Sequence, residues 1–293
     1  RHPGRTRQYY RRCASTRGFG SGDSQNGRIV VMAQLDDALD SFHADLARAG
    51  ELLEFVDLFR NFAASATDRD LERDAEDWSA AASLAQIAPG IRTDLPVLSG
   101  SLLLYLCGRF EFFVREILLA LADQAVSDAA TYRDLPNTMR NNIYELTLDV
   151  ARRPARYGYE KTDGERLILS LSKNLDQSYE GALTVESRVL TITESNMRAD
   201  VLADVFKRVG IMNIWAEVGK QAPLKALLGA GEDGACRMAC TTRLDEIMRD
   251  RNDLAHPTGT VTFPGPDKVV DVCNFLRVLS QALVDIVRIP WCS

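Results

Sequence analysis

The sequence predicts an all-α fold, a helical bundle with a helical hairpin on its N-terminal side and an inserted helical segment. Three observations predict it. Apolar residues recur at spacings of three and four along most of the chain. Runs alternating at period two are scarce. Prolines and glycines fall mostly between the periodic stretches. The 293 residues are 46 % hydrophobic and 26 % charged, an ordinary globular composition that excludes a disordered or collagen-like chain.

The first periodic stretch holds Leu35, Leu39, Phe42, Leu46, Ala49, Leu53 and Val56, one stripe on a helix of about six turns. Such a stripe suits half of an antiparallel hairpin or a dimer seam. A highly charged helix is expected over 68–85, then a loop with two prolines over 88–96. The most apolar helix follows over 98–125, with Leu103, Leu106, Phe110, Phe113, Ile117 and Leu121 on one face and Glu111 and Arg115 one turn apart on another. Helices are then expected over 135–152, 167–175, 195–209 with Gly210 as a stop, and 214–228. Residues 185–192 alternate weakly and read as extended. The last two helices read as 238–255 and 266–287, the latter striped by Val272, Leu276, Leu279, Leu283 and Ile286.

The formal charge is −6. Residues 1–31 oppose it, with Arg1, Arg5, Arg7, Arg11, Arg12, Arg17 and Arg28 against Asp23 alone. The remaining acidity excludes a protein that coats DNA in bulk but leaves room for a local basic site. Residues 1–28 show no periodicity and read as a disordered basic arm. Met32 stands at the start of the first stripe and is the expected natural start; an RNA-gripping arm is the other reading, because Arg interleaved with Tyr suits single strands.

Six Cys are too few for a disulfide scaffold, and a reducing, cytoplasmic setting is expected. Cys236 and Cys240 form C-x3-C with no second pair to complete a zinc site, so helix packing is favoured over ligation. No metal or cofactor is expected, and no apolar run is read as a membrane span.

One segment breaks the pattern. In Thr242–Pro257, the stripe is set by Leu244, Ile247, Met248, Leu254 and Ala255. Arg251, seven residues after Leu244, lies about 20° from it and so points into it. A guanidinium there needs an acid, an interface or a cleft. Asn252 and His256 are four apart and share a face. Pro257 should end the helix near His256, placing an imidazole beside the negative end of the macrodipole. An inward Arg one turn from a helix-end His is a plausible charge-stabilising and proton-moving pair; a helix cap and an ordinary ion pair would use the same residues.

Arg251-Asn-Asp-Leu-Ala-His256 is an R-x4-H motif with a polar residue after the Arg, on a helix followed by a turn and a last amphipathic helix. Upstream, Leu102–Val114 carries a Phe110-Glu111 pair in a very apolar helix. Together these resemble the HEPN superfamily (higher eukaryotes and prokaryotes nucleotide-binding domain), of the bacterial RiboL-PSP-HEPN or related MAE type, over roughly 95–290. Residues 1–90 fall outside the resemblance. The chain thus divides into a disordered stretch at 1–31, a helical extension at 32–94 and a HEPN-like domain at 95–293 with an insertion at about 155–230.

The resemblance implies a metal-independent endoribonuclease, dimeric, with two R-x4-H motifs meeting at one cleft. His256 would move protons, Arg251 would stabilise phosphorane charge, Asn252 would orient His256 or the phosphate, and Glu111 would position Arg251 or His256. A plain i,i+4 pair with Arg115 is the other reading of Glu111. The helices over 98–125 and 238–255 are the expected dimer seam. Kinship also implies a toxin or abortive-infection effector in antiviral defence, checked by an antitoxin protein. Arg152, Arg153, Arg156 and Lys161, interleaved with Tyr157 and Tyr159, read as an RNA-contacting loop or a solvated linker. The competing reading of the whole is a non-catalytic module that binds a nucleotide or a protein.

Overall fold

The structure, a computed structural model, describes residues 24–65, 83–84, 86–88, 90, 94–176, 178–179, 181–193, 196–256 and 262–289. No strand occurs among the described residues. The helices are α1 (Ser24–Ser65), α2 (Leu95–Asp128), α3 (Asn137–Arg152), α4 (Lys161–Leu175), α5 (Ala199–Arg208), α6 (Ile214–Gly219), α7 (Ala222–Leu228), α8 (Asp233–Ala255) and α9 (Pro266–Arg288), with 3-10 turns at Tyr132–Asp134, Pro154–Tyr157 and Ser187–Thr191. The all-α expectation therefore stands.

Helix α2 is the centre, in contact with α1, α8, α9 and the Ser187–Thr191 turn. Its apolar face buries Leu103, Leu106, Phe110, Phe113 and Ile117. The predicted stripe of α1 lies against it, with Phe42 stacked on Phe113 at a centroid distance of 5.1 Å and 18° between ring planes. Beneath the rim of this contact, the buried carboxylate of Asp45 receives the Tyr105 hydroxyl at 2.7 Å, the Arg48 guanidinium at 2.9 Å and that of Arg109. A second, smaller core joins Tyr132, Met139, Ile143 and Val150 to Leu167, Leu171, Val189 and Leu190. The inserted segment thus supplies part of this core, while its Leu202, Phe206 and Val218 belong to the main one.

Several boundaries differ from the sequence reading. Helix α1 starts at Ser24, upstream of Met32, so residues 24–31 are helical rather than part of a disordered arm. The cause is Val31, which is buried one turn before Leu35 and extends the stripe backward. Of the charged helix expected over 68–85, the second arm of the hairpin, only residues 83–84 are described, and they are helical; the rest lies outside the described residues, as do Pro257 and residues 1–23. Pro96 belongs to the first turn of α2 and not to a loop, since a first-turn residue has no intrahelical N–H bond to lose.

Residues 187–191 form a 3-10 turn instead of an extended run. Val189 and Leu190 are both fully buried, which alternation does not allow. The helix expected over 214–228 is two, because Pro223 opens α7 and Gly219 closes α6. A side chain at Gly219 would collide with the Asp233 carbonyl oxygen at 2.5 Å, so glycine is what lets α6 approach α8. Gly210, at φ +96°, ends α5 as expected.

By length and composition α2 is apolar enough to cross a membrane, with a mean hydropathy of 1.5 over 18 residues, which the sequence reading missed. Here it is the core helix of the bundle, its apolar face covered by α1, α8 and α9.

Candidate active site

Helix α8 presents the R-x4-H motif. Leu244, Ile247 and Met248 are buried against the core. Arg251 continues that stripe and is half-buried, as its phase on the helix predicts. The helix ends at Ala255, and His256 follows as its C-cap with φ −131° and ψ 68°. The imidazole is exposed, and its backbone N–H donates to the Asn252 carbonyl at 2.9 Å.

Asn252 links the motif's parts. Its side-chain oxygen accepts from Arg251 Nη1 at 3.4 Å and from Asn196 Nδ2, while its carbonyl holds the His256 backbone. Asn196 comes from the segment before α5, which Asp245 fastens to α8 by accepting the Ala199 N–H at 2.8 Å. Arg251 makes no ion pair among the described residues. Its neighbour Asp250 is held by Lys268 of α9 at 2.6 Å.

Glu111 lies on α2, which packs against α8, and no hydrogen bond or ion pair joins it to Arg251, Asn252 or His256 among the described residues. The Cys107 thiol, one turn earlier on α2, is pushed up to about 12, first by burial, then by the Glu111 carboxylate, with the Arg251 guanidinium opposing. The α2–α8 contact thus brings both charges within electrostatic reach of one thiol, while near the motif Leu254 packs against Gly100 of α2. Glu111 Oε1 is buried and accepts no hydrogen bond. The alternative i,i+4 pair with Arg115 is not formed. Arg115 instead donates to the Thr193 hydroxyl at 2.7 Å.

The four expected RNA-contacting cations are all exposed, and Arg156 lines a groove together with Arg115, Arg166 and Arg188. Arg152 and Arg153 end α3, and Lys161 begins α4. Sequence reasoning missed Asn196, whose contact spans 56 residues and has no local signature. Cys236 and Cys240 lie with their sulfurs 4.0 Å apart and buried, in keeping with packing. No group of three or more His, Cys, Asp or Glu converges among the described residues.

Comparison with curated proteins and with solved structures gives no match. The family model described as RiboL-PSP-HEPN matches residues 69–288, from before α2 to the last turn of α9. That span takes in Glu111, Asn196 and the whole R-x4-H motif and covers well over half of the chain, so this all-α protein belongs to the RiboL-PSP-HEPN family of the HEPN superfamily.

Proposed function

We propose that this protein is a metal-independent endoribonuclease that acts as a homodimer through its R-x4-H motif. The observation that carries the proposal is the state of Arg251: half-buried, free of any ion pair among the described residues, and held by the neutral Asn252 amide oxygen. A guanidinium neutralised by an acid would serve packing. One kept charged in the last turns of a helix that ends at an exposed histidine suits a phosphate.

In this reading the 2′-hydroxyl of RNA loses its proton and attacks the adjacent phosphorus. The bond from phosphorus to the 5′ oxygen breaks, that oxygen takes a proton, and the products are a 2′,3′-cyclic phosphate and a 5′-hydroxyl. His256 is exposed and able to move these protons, and in a dimer its two copies serve as base and acid. Arg251 binds the phosphorane oxygens, where charge develops. Asn252 fixes the guanidinium and the His256 backbone, and Glu111 sets the position of Arg251 from across the bundle. We further propose a toxin or abortive-infection role in bacterial antiviral defence, in the cytoplasm and under an antitoxin protein, on family kinship alone.

The test is expression of wild type beside His256→Ala in a bacterial host, with growth followed and RNA sequenced for 2′,3′-cyclic ends. Slowed growth and new cyclic ends with wild type only are expected. Equal growth and equal RNA ends, with both proteins soluble and folded and no antitoxin present, would favour a non-catalytic binding module.

A further inference from the structure

A groove of about 970 Å³ is walled by α2, the Pro154–Tyr159 segment, α4 and residues 184–193. We infer that this groove is a track for single-stranded RNA that leads to Arg251 and His256. The inference rests on the ribonuclease reading for its direction, though not for its binding chemistry.

The lining carries that chemistry. Arg115, Arg156, Arg166 and Arg188 come from four different segments and converge on one groove. Arg115 gives its hydrogen bond to the neutral Thr193 hydroxyl and not to a carboxylate, so its charge stays available to a phosphate. Arg156 lies 5.7 Å from the Tyr157 ring centroid. Acids also line the groove, and two of them are already engaged. Asp163 accepts the Glu160 backbone N–H at 3.0 Å and pairs with Arg166 at 3.1 Å; Glu186 pairs with Arg188 at 2.7 Å. The side chains of Arg166 and Arg188 are 74 % and 53 % exposed, so water weakens both pairs and a phosphate can exchange into them. The third acid, Glu116, has its carboxyl raised above the ordinary range by burial, with Arg109 opposing.

Aromatic rings select the strand's form. Phe112, Tyr157 and Tyr159 line the groove among the arginines. Flat aromatic faces stack on bases only when the bases are unpaired, so an interleaved Arg–Tyr lining fits a single strand better than a duplex.

Connectivity gives the direction. Thr193 lines the groove, and Asn196, three residues on, binds Asn252 beside Arg251. Three residues span at most ~10 Å. Through this connection the edge of the groove and the motif are neighbours, and a strand only a few nucleotides long reaches both.

The test uses full-length protein and a fluorescein-labelled, mixed-sequence 2′-O-methyl RNA 15-mer, which has no 2′-hydroxyl to attack. Binding is read by anisotropy, and cleavage of the matching ordinary RNA is followed in parallel. Arg115→Glu/Arg166→Glu is expected to weaken binding at least ~10-fold and flatten its salt dependence, while the charge-matched Arg60→Glu/Arg133→Glu changes it less than about 2-fold. A 4-thiouridine strand on the wild type provides a readout independent of any variant's folding, with crosslinks expected in α2 and in the Pro154–Tyr159 segment. Equal weakening by both double variants, crosslinks only elsewhere, or no binding of the single strand by wild type (as in a groove built for a protein segment) would overturn the inference. The two readings fail separately. Groove-dependent binding without cleavage sinks the nuclease and keeps the track; cleavage that groove variants leave intact does the reverse.

Discussion

Asn196 Nδ2 donates to Asn252 Oδ1, the oxygen that also accepts Arg251 Nη1. This bond ties the inserted segment to the motif helix and holds the asparagine amide in the orientation that presents its oxygen to the guanidinium. Removing the Asn196 amide leaves Asn252 free to turn away. Loss of one such bond is worth about 1 kcal/mol, or roughly a fivefold change in rate. Asn196→Ala should therefore lower the single-turnover cleavage rate about fivefold with little change in RNA affinity. An unchanged rate would show that Asn252 does not position Arg251.

Glu111 offers a sharper separation of stability from function. Its Oε1 is buried without a hydrogen bond, an arrangement that costs stability. Glu111→Gln removes the charge at nearly constant shape. Cleavage should fall at least ~10-fold while the melting temperature holds or rises, because the electrostatic hold on Arg251 is lost together with the desolvation cost. A fall in melting temperature with normal cleavage would make Glu111 a structural residue.

Asp45 anchors α1 to α2 by receiving Tyr105, Arg48 and Arg109 on a buried carboxylate. Asp45→Ala removes the acceptor shared by the Tyr105 hydroxyl and Arg109, whereas Arg48 is exposed and adds little. A loss of about 2 kcal/mol is expected in denaturant unfolding. A loss under about 0.5 kcal/mol would mean that the apolar stripe alone holds α1 in place.

His43, also on α1, bonds Ser280 of α9 at 3.0 Å. Burial, and then the Arg277 guanidinium, hold its imidazole below the ordinary 6.5, with the Arg277 backbone bond and Asp40 pulling the other way. The folded state thus binds this proton less readily than the unfolded chain. Its contribution to stability is complete above pH 6.5 and is lost as pH falls from there through the lower folded value. Wild type should lose more melting temperature between pH 7.5 and 5 than His43→Gln does. Equal losses would remove His43 from the acid response.

Much of this architecture is legible in the sequence, because helix phase is local. Leu35 to Val56 on α1, the Phe110–Phe113 face of α2 and the inward turn of Arg251 all follow from 3.6-residue periodicity. What escaped is non-local. Val31 lengthens α1 by packing, Val189 and Leu190 are buried side by side by a 3-10 turn, and Gly219, packed closely on α8, ends one helix just before Pro223 opens the next. The site shows the same division. The R-x4-H spacing is visible along one helix, but Asn196 meets Asn252 only after the inserted segment crosses the bundle. Arg115, paired on paper with Glu111, turns instead to Thr193.

The most direct test is purified protein incubated with single-stranded RNA in EDTA, with the product ends identified by mass spectrometry. Wild type should yield 2′,3′-cyclic phosphate and 5′-hydroxyl ends. Arg251→Ala and His256→Ala, folded as judged by circular dichroism, should each cut at least ~100-fold more slowly. Cleavage at the wild-type rate by either variant, or 3′-hydroxyl and 5′-phosphate ends from the wild type, would contradict the account.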